Sequence, residues 1–120
     1  IEAIQVLKSF PQFTSEFCSK LAQKTLEIIP PILAFDIQEG KYKINKEVFK
    51  LYWYLETIST FVEFIDAETL FEILSKTKNV KDYTIREKTA KIISKIKNSS
   101  KFDALKAELK QDQNYYVQRV

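Results

Sequence analysis

The chain has 120 residues, 45% of them hydrophobic and 29% charged, with a formal net charge of +3. That is enough material for one domain with a real core. A single glycine and three prolines argue against a sheet-rich fold, whose tight turns draw on both residues. With no histidine and one cysteine, neither a histidine triad nor a zinc-type ligand cluster can be assembled.

Residues 1–9 read as the end of a helix, with Ile4, Val6 and Leu7 apolar, stopped by Pro11. A second helix is predicted over about 14–29, where Phe17, Cys18, Leu21, Leu26, Ile28 and Ile29 form a broad apolar face. Thr14 or Ser15 is its expected cap, a hydroxyl accepting from the free amides of the first turn. Pro30-Pro31 should end or kink it, with a short resumption over 32–37. Residues 38–45 hold Gly40, the only glycine, and read as a connecting loop in preference to a small hairpin. A long helix follows over about 46–65. Asp66 is its stop signal and the cap of the next helix, expected over 67–78. Thr84 with Glu87 makes a capping box for a helix over 84–97. Ser100 with Asp103 starts another, to about Lys110, and Tyr115 opens the last. Six or seven helices with short joints make an all-α chain.

Within the last third a short pattern occurs twice. Asp82, Ile85 and Arg86 open one helix, and Asp112, Asn114 and Val117 open another about one helix pair later. Ile85, Thr89, Ile92, Ile93 and Ile96 share one face of their helix, and Leu70, Phe71, Ile73 and Leu74 could pack against it. Recurrence at roughly 30 to 35 residues is the mark of stacked helical hairpins.

This pattern resembles a HEAT repeat over roughly residues 66–120, with the last repeat truncated. Residues 1–65 are then irregular repeats or a cap. The resemblance implies antiparallel helical hairpins stacked as an α-solenoid with a right-handed superhelix. It also implies that an aspartate and an arginine bridge neighbouring units while the β-branched residue enters the core. The second copy departs from the pattern: Gln118 stands where arginine is expected, and Arg119 follows.

Two features point outward. The helix over 46–65 carries the stripe Val48, Leu51, Tyr52, Leu55, Ile58, Val62 and Ile65, adequate for a core. Its opposite half holds Phe49, Trp53, Tyr54, Phe61 and Phe64. Either a second layer buries these aromatics, or they form a partner site. Lys88, Lys91 and Lys95 form an outward ridge. Acidic residues outnumber basic ones over 1–75 and the reverse holds over 76–110, so the ridge lies in the basic part of the chain.

These observations point to a non-catalytic scaffold or adaptor that binds a protein partner, an acidic one at the lysine ridge. Lys88, Lys91, Lys95, Trp53 and Phe61 are the candidate contacts, and no metal or cofactor is implied. A nucleic-acid-binding helical repeat is one alternative. A HEAT-like appendage of a larger enzyme, such as a zinc aminopeptidase, is another. Residue 1 is Ile and methionine is absent, which leads us to expect a piece of a longer protein. No apolar run approaches the roughly 18 residues of a membrane-spanning helix. A lone cysteine fits a reducing, intracellular compartment.

Overall fold

The computed structural model describes residues 9–34, 41–96 and 100–120. Six α-helices span them: α1 (Pro11–Ala34), α2 (Lys41–Thr60), α3 (Ala67–Thr77), α4 (Tyr83–Lys95), α5 (Asp103–Lys110) and α6 (Tyr115–Gln118). Short 3₁₀ turns at Val62–Phe64 and Ser100–Phe102 precede α3 and α5, and no strand occurs among the described residues. The expected helix over 1–9 lies outside them except for Ser9, as do residues 35–40. None of the described helices is long and apolar enough to cross a membrane.

The start of α1 differs from expectation. Pro11 opens this helix, at a first position where a proline needs no N–H and its fixed φ already suits the helix. Thr14 is therefore inside the helix and is not its cap. Its hydroxyl donates to the Phe10 carbonyl at 3.1 Å. Pro30 and Pro31 lie within α1, and the helix runs through both to Ala34. Because they fall near its end, their missing amide bonds affect only the closing turns.

The second helix begins at Lys41, so residues 41–45 of the expected loop over 38–45 are helical. It ends at Thr60, five residues earlier than expected, and the chain turns through Val62–Phe64 to an extended Ile65. Asp66 caps α3 as anticipated, its carboxylate accepting from the Thr69 amide at 3.0 Å and the Thr69 hydroxyl at 2.8 Å. These bonds hold the Asp66 carboxyl below its ordinary range. At α4 the cap is Asp82, not the Thr84–Glu87 box. Its carboxylate accepts from the Thr84 amide at 2.9 Å and from the Thr84 hydroxyl at 2.5 Å. Thr84 is thereby used as a donor one turn position too late to cap.

The helices associate in a regular way. α1 pairs with α2, α3 with α4, and α5 with α6; α2 also packs on α4, α4 on α6, and α1 on α3. Lys88 of α4 meets Glu56 of α2, and Lys95 donates to the Ser59 carbonyl at 3.3 Å. Residue numbers rise together on both helices, so α2 and α4 run parallel. Helix α4 is the hub, touching α2, α3, α5 and α6. The core is continuous along this arrangement. Ile29, Leu51, Leu55, Ile58, Ile73, Leu74, Ile85 and Ile92 are fully buried, and Phe102, Leu105, Leu109 and Val117 extend the core to the last pair. Burial of each such side chain stabilises the fold by about 1.5–3 kcal/mol.

Candidate functional site

Helices α2, α4 and α6 lie side by side and leave one face of each uncovered. On α2 that face carries Phe49 and Trp53, 65% and 52% exposed. Their rings meet edge to face at 6.1 Å, and Trp53 meets Tyr52 at 5.7 Å. Lys46 and Lys50 flank them at helical spacing and are exposed. One side of the long helix is thus core and the other side holds open aromatics.

The lysine ridge divides by role. Lys88 does not point outward. Its side chain is only 11% exposed, its ammonium is paired with Glu56, and it sits 5.1 Å from the centre of the Tyr52 ring. The neighbouring helix explains this: α2 packs along the side of α4 that bears Lys88, and a partly buried cation is held there by a carboxylate and a ring. Lys95 reaches toward the same helix, to the Ser59 carbonyl. Lys91 is exposed and only loosely matched by Glu87, at 3.8 Å on its own helix. Lys88 thus meets α2 at Tyr52, next to Trp53 in the chain, whereas Lys95 meets it farther along, at Ser59.

Phe61 is elsewhere. It is 1% exposed, packed 5.3 Å from Phe17 and 6.3 Å from Phe64, so it is a core residue and not a contact for a partner. It follows the end of α2, where the chain has left the helical projection that placed it beside Trp53.

The motif residues come together between the last two pairs. Arg86 donates through Nε to Asp112 Oδ2 at 2.8 Å and through Nη2 to Oδ1 at 3.2 Å, while Nη1 donates to the carbonyls of Val80 and Lys81. Asp112 also accepts from the Asn114 amide at 2.9 Å, and Asn114 caps α6 through the Tyr116 amide at 2.8 Å. Burial pushes the Asp112 carboxyl upward. The bonds from Arg86 and Asn114 and the guanidinium charge together outweigh it and hold the group below its ordinary range. Ile85 and Val117 are buried beside this bridge. Asp82 serves as a cap.

A second aromatic cluster was not anticipated. Tyr83 and Tyr116 stack at 5.9 Å with an interplanar angle of 27°, and Tyr115 meets Tyr116 edge to face at 5.6 Å. The Arg119 guanidinium lies 5.6 Å from the Tyr115 ring and 5.1 Å from the Tyr116 ring. All three tyrosines are exposed. The signal was present in the recurring pattern, because Tyr83 and Tyr115 each occupy the first position of their helix.

No group of three or more His, Cys, Asp or Glu among the described residues could hold a metal ion. Cys18 is buried, and burial pushes its thiol upward, away from the reactive thiolate. Cys18 lines a groove of about 690 Å³ together with Ser15, Ser19, Gln23, Asp66 and Thr69, among others. Comparison with protein-family models, with curated proteins and with solved structures found no match.

Proposed function

We propose that the chain is a non-catalytic helical-repeat scaffold that binds an acidic protein partner on the uncovered face of α2, α4 and α6. The reading that supports this takes residues about 66–120 as stacked HEAT-like hairpins, the last one truncated, with residues 1–65 as irregular repeats or a cap. In favour of it, Arg86 and Asp112 link successive pairs, Ile85 and Val117 enter the core beside them, and the second helices of the pairs pack in sequence. Stacked hairpins extend a surface without redesigning the core, which suits them to docking.

One observation carries the functional reading. Lys88 is held in joining α4 to Tyr52 and Glu56, while Lys91 on α4 and Trp53 on the adjoining α2 are both exposed. Exposed aromatics supply area at low entropic cost, and exposed lysines supply attraction for carboxylates. The test is titration of the chain with a bead-displayed pool of glutamate-rich peptides. The variant carrying Lys91→Glu and Lys95→Glu should lose at least about tenfold in affinity with helicity unchanged. Equal capture by both proteins would remove the lysines from the site.

The aromatics beside lysines also fit a second reading, a nucleic-acid-binding repeat. Binding to single-stranded RNA that weakens steeply with salt and exceeds peptide capture would put that reading first.

A further inference from the structure

We infer that the acidic partner docks on α2 as an amphipathic helix, laying apolar side chains on Phe49 and Trp53 and carboxylates on Lys46 and Lys50. The inference rests on the acidic-partner reading above and names the form and the place of the contact.

All four side chains belong to one helix, so their spacing fixes their arrangement. Phe49 and Trp53 are four residues apart, 65% and 52% exposed, and their rings meet edge to face at 6.1 Å. Lys46 and Lys50 repeat that interval three residues earlier and are exposed. Residues three and four apart are neighbours on a helix surface. The aromatic pair and the cationic pair are therefore adjacent rows on the outer side of α2.

The charge left on this side is positive. Glu56, two turns beyond Phe49, is joined to Lys88 of α4. Glu47 projects about 160° round the helix from Phe49, at about 100° per residue. Lys50 lies 5.9 Å from the centre of the Tyr54 ring, and Tyr54 is partly buried against the core. A ring at that distance orients the ammonium without neutralising it. Two exposed cations beside two exposed rings are complementary to carboxylates beside apolar side chains.

Hydrogen bonding decides the partner's conformation. From Lys46 to Trp53 the backbone of α2 is used within the helix, and the Thr57 hydroxyl donates to the Trp53 carbonyl at 2.9 Å. Among the described residues there is no strand whose edge could pair with an extended segment. An extended peptide over the two rings would lose water from its amides and carbonyls and gain no partner for them. A helix brings its backbone bonds with it and offers side chains alone. Its rows at four-residue spacing also fit against the rows of α2. The motif is thus two apolar residues four apart, with aspartate or glutamate three or four residues from each.

The test is selection on the whole chain at low salt from two peptide display libraries. One is held helical by alanine at the positions that are not varied, and the other carries a central Pro-Gly that prevents a helix. The helical library should enrich apolar pairs at four-residue spacing with acidic neighbours, and the other should not. Fluorescence anisotropy of the recovered helical peptide then follows on the chain and three variants, with helicity checked by circular dichroism. Phe49→Ala with Trp53→Ala, and Lys46→Glu with Lys50→Glu, should each weaken binding at least about tenfold. Should the aromatic double variant lose helicity, Phe49→Ala alone replaces it, since that ring is 65% exposed. Acidic peptides sensitive to Lys91→Glu with Lys95→Glu but not to the α2 variants overturn the docking place and leave the acidic-partner reading standing. Equal enrichment of acidic peptides from the Pro-Gly library overturns the helical form and leaves that reading standing too. A consensus without acidic residues, no enrichment from either library, or tighter binding of poly(uridine) or of phosphatidylserine vesicles overturns both.

Discussion

Arg86 illustrates how one side chain serves two levels of structure. Three of its nitrogens make four hydrogen bonds, two to Asp112 across the α4–α6 boundary and two to carbonyls in the turn before its own helix. The planar guanidinium matches a carboxylate in two-point contact, which a lysine cannot reproduce. Both side chains are mostly buried, 17% and 13% exposed, so removing one partner strands the other away from water. Arg86→Ala should therefore cost roughly 2–3 kcal/mol and lower the thermal midpoint by about 10 °C. The bridge also sets a pH dependence. The carboxyl of Asp112 is lowered from its ordinary value of 3.8, so its contribution is complete above that value and is lost as pH falls through the lowered one. In urea titrations below pH 4, the native chain should lose stability more steeply than an Asp112→Asn variant. Parallel losses in the two proteins would show that the bridge does not stabilise the fold.

At the scale of single helices, what was legible in the sequence was what is local. Asp66 is a cap because its carboxylate reaches an amide three residues on, and both ends of that bond lie in one short stretch. The core stripes of α2, α3 and α4 were likewise readable, because period alone places Leu51, Leu55, Ile58, Ile73, Leu74, Ile85 and Ile92 inward. Where two local solutions competed, the reading failed: Asp82 and Thr84 both fit a cap, and the carboxylate won. Non-local facts were out of reach. A projection on one helix could not show that α2 would lie against Lys88, nor that Phe49 and Trp53 would stay uncovered. Phe61 and Trp53 shared a face only on the assumption that the helix continued past Thr60. The joint between α3 and α4 contains a further contact of this kind, the buried hydroxyls of Thr77 and Thr89 at 2.7 Å. Each hydroxyl also lies within reach of a carbonyl of its own helix, Leu74 for Thr77 and Ile85 for Thr89, so the two protons make two of these three bonds at a time and one hydroxyl accepts from the other. Replacing either threonine with valine leaves its partner short of one bond, at a cost of about 1–2 kcal/mol, whereas replacing both should cost less than the sum. Chemical denaturation of the two single variants and the double variant measures that coupling. Strict additivity would mean that the hydroxyls contribute nothing to each other.

For the whole molecule, connectivity sets the order of stability. α4 contacts four other helices, whereas α5 and α6 rest on α4 and on each other. α6 is only four residues long, too short to persist without tertiary contacts. Its place is held by Val117 in the core, by the Asn114 cap and by the Arg86–Asp112 bridge. α5 and α6 lie at one end of the described helices and have few neighbours, so opening should begin there and stop at the best-connected element. Native-state hydrogen exchange should accordingly find the slowest amides in α4, around Thr89–Ile93, and a separate, easier opening for α5 and α6. Arg86→Ala should speed exchange in α5 and α6 well before it affects α2, because the bridge is one of the contacts that couple the last pair to α4. A single exchange rate common to all the helices, shifted equally by the variant, would instead make the chain one cooperative unit. The helix pairs would then be a bundle that folds all at once.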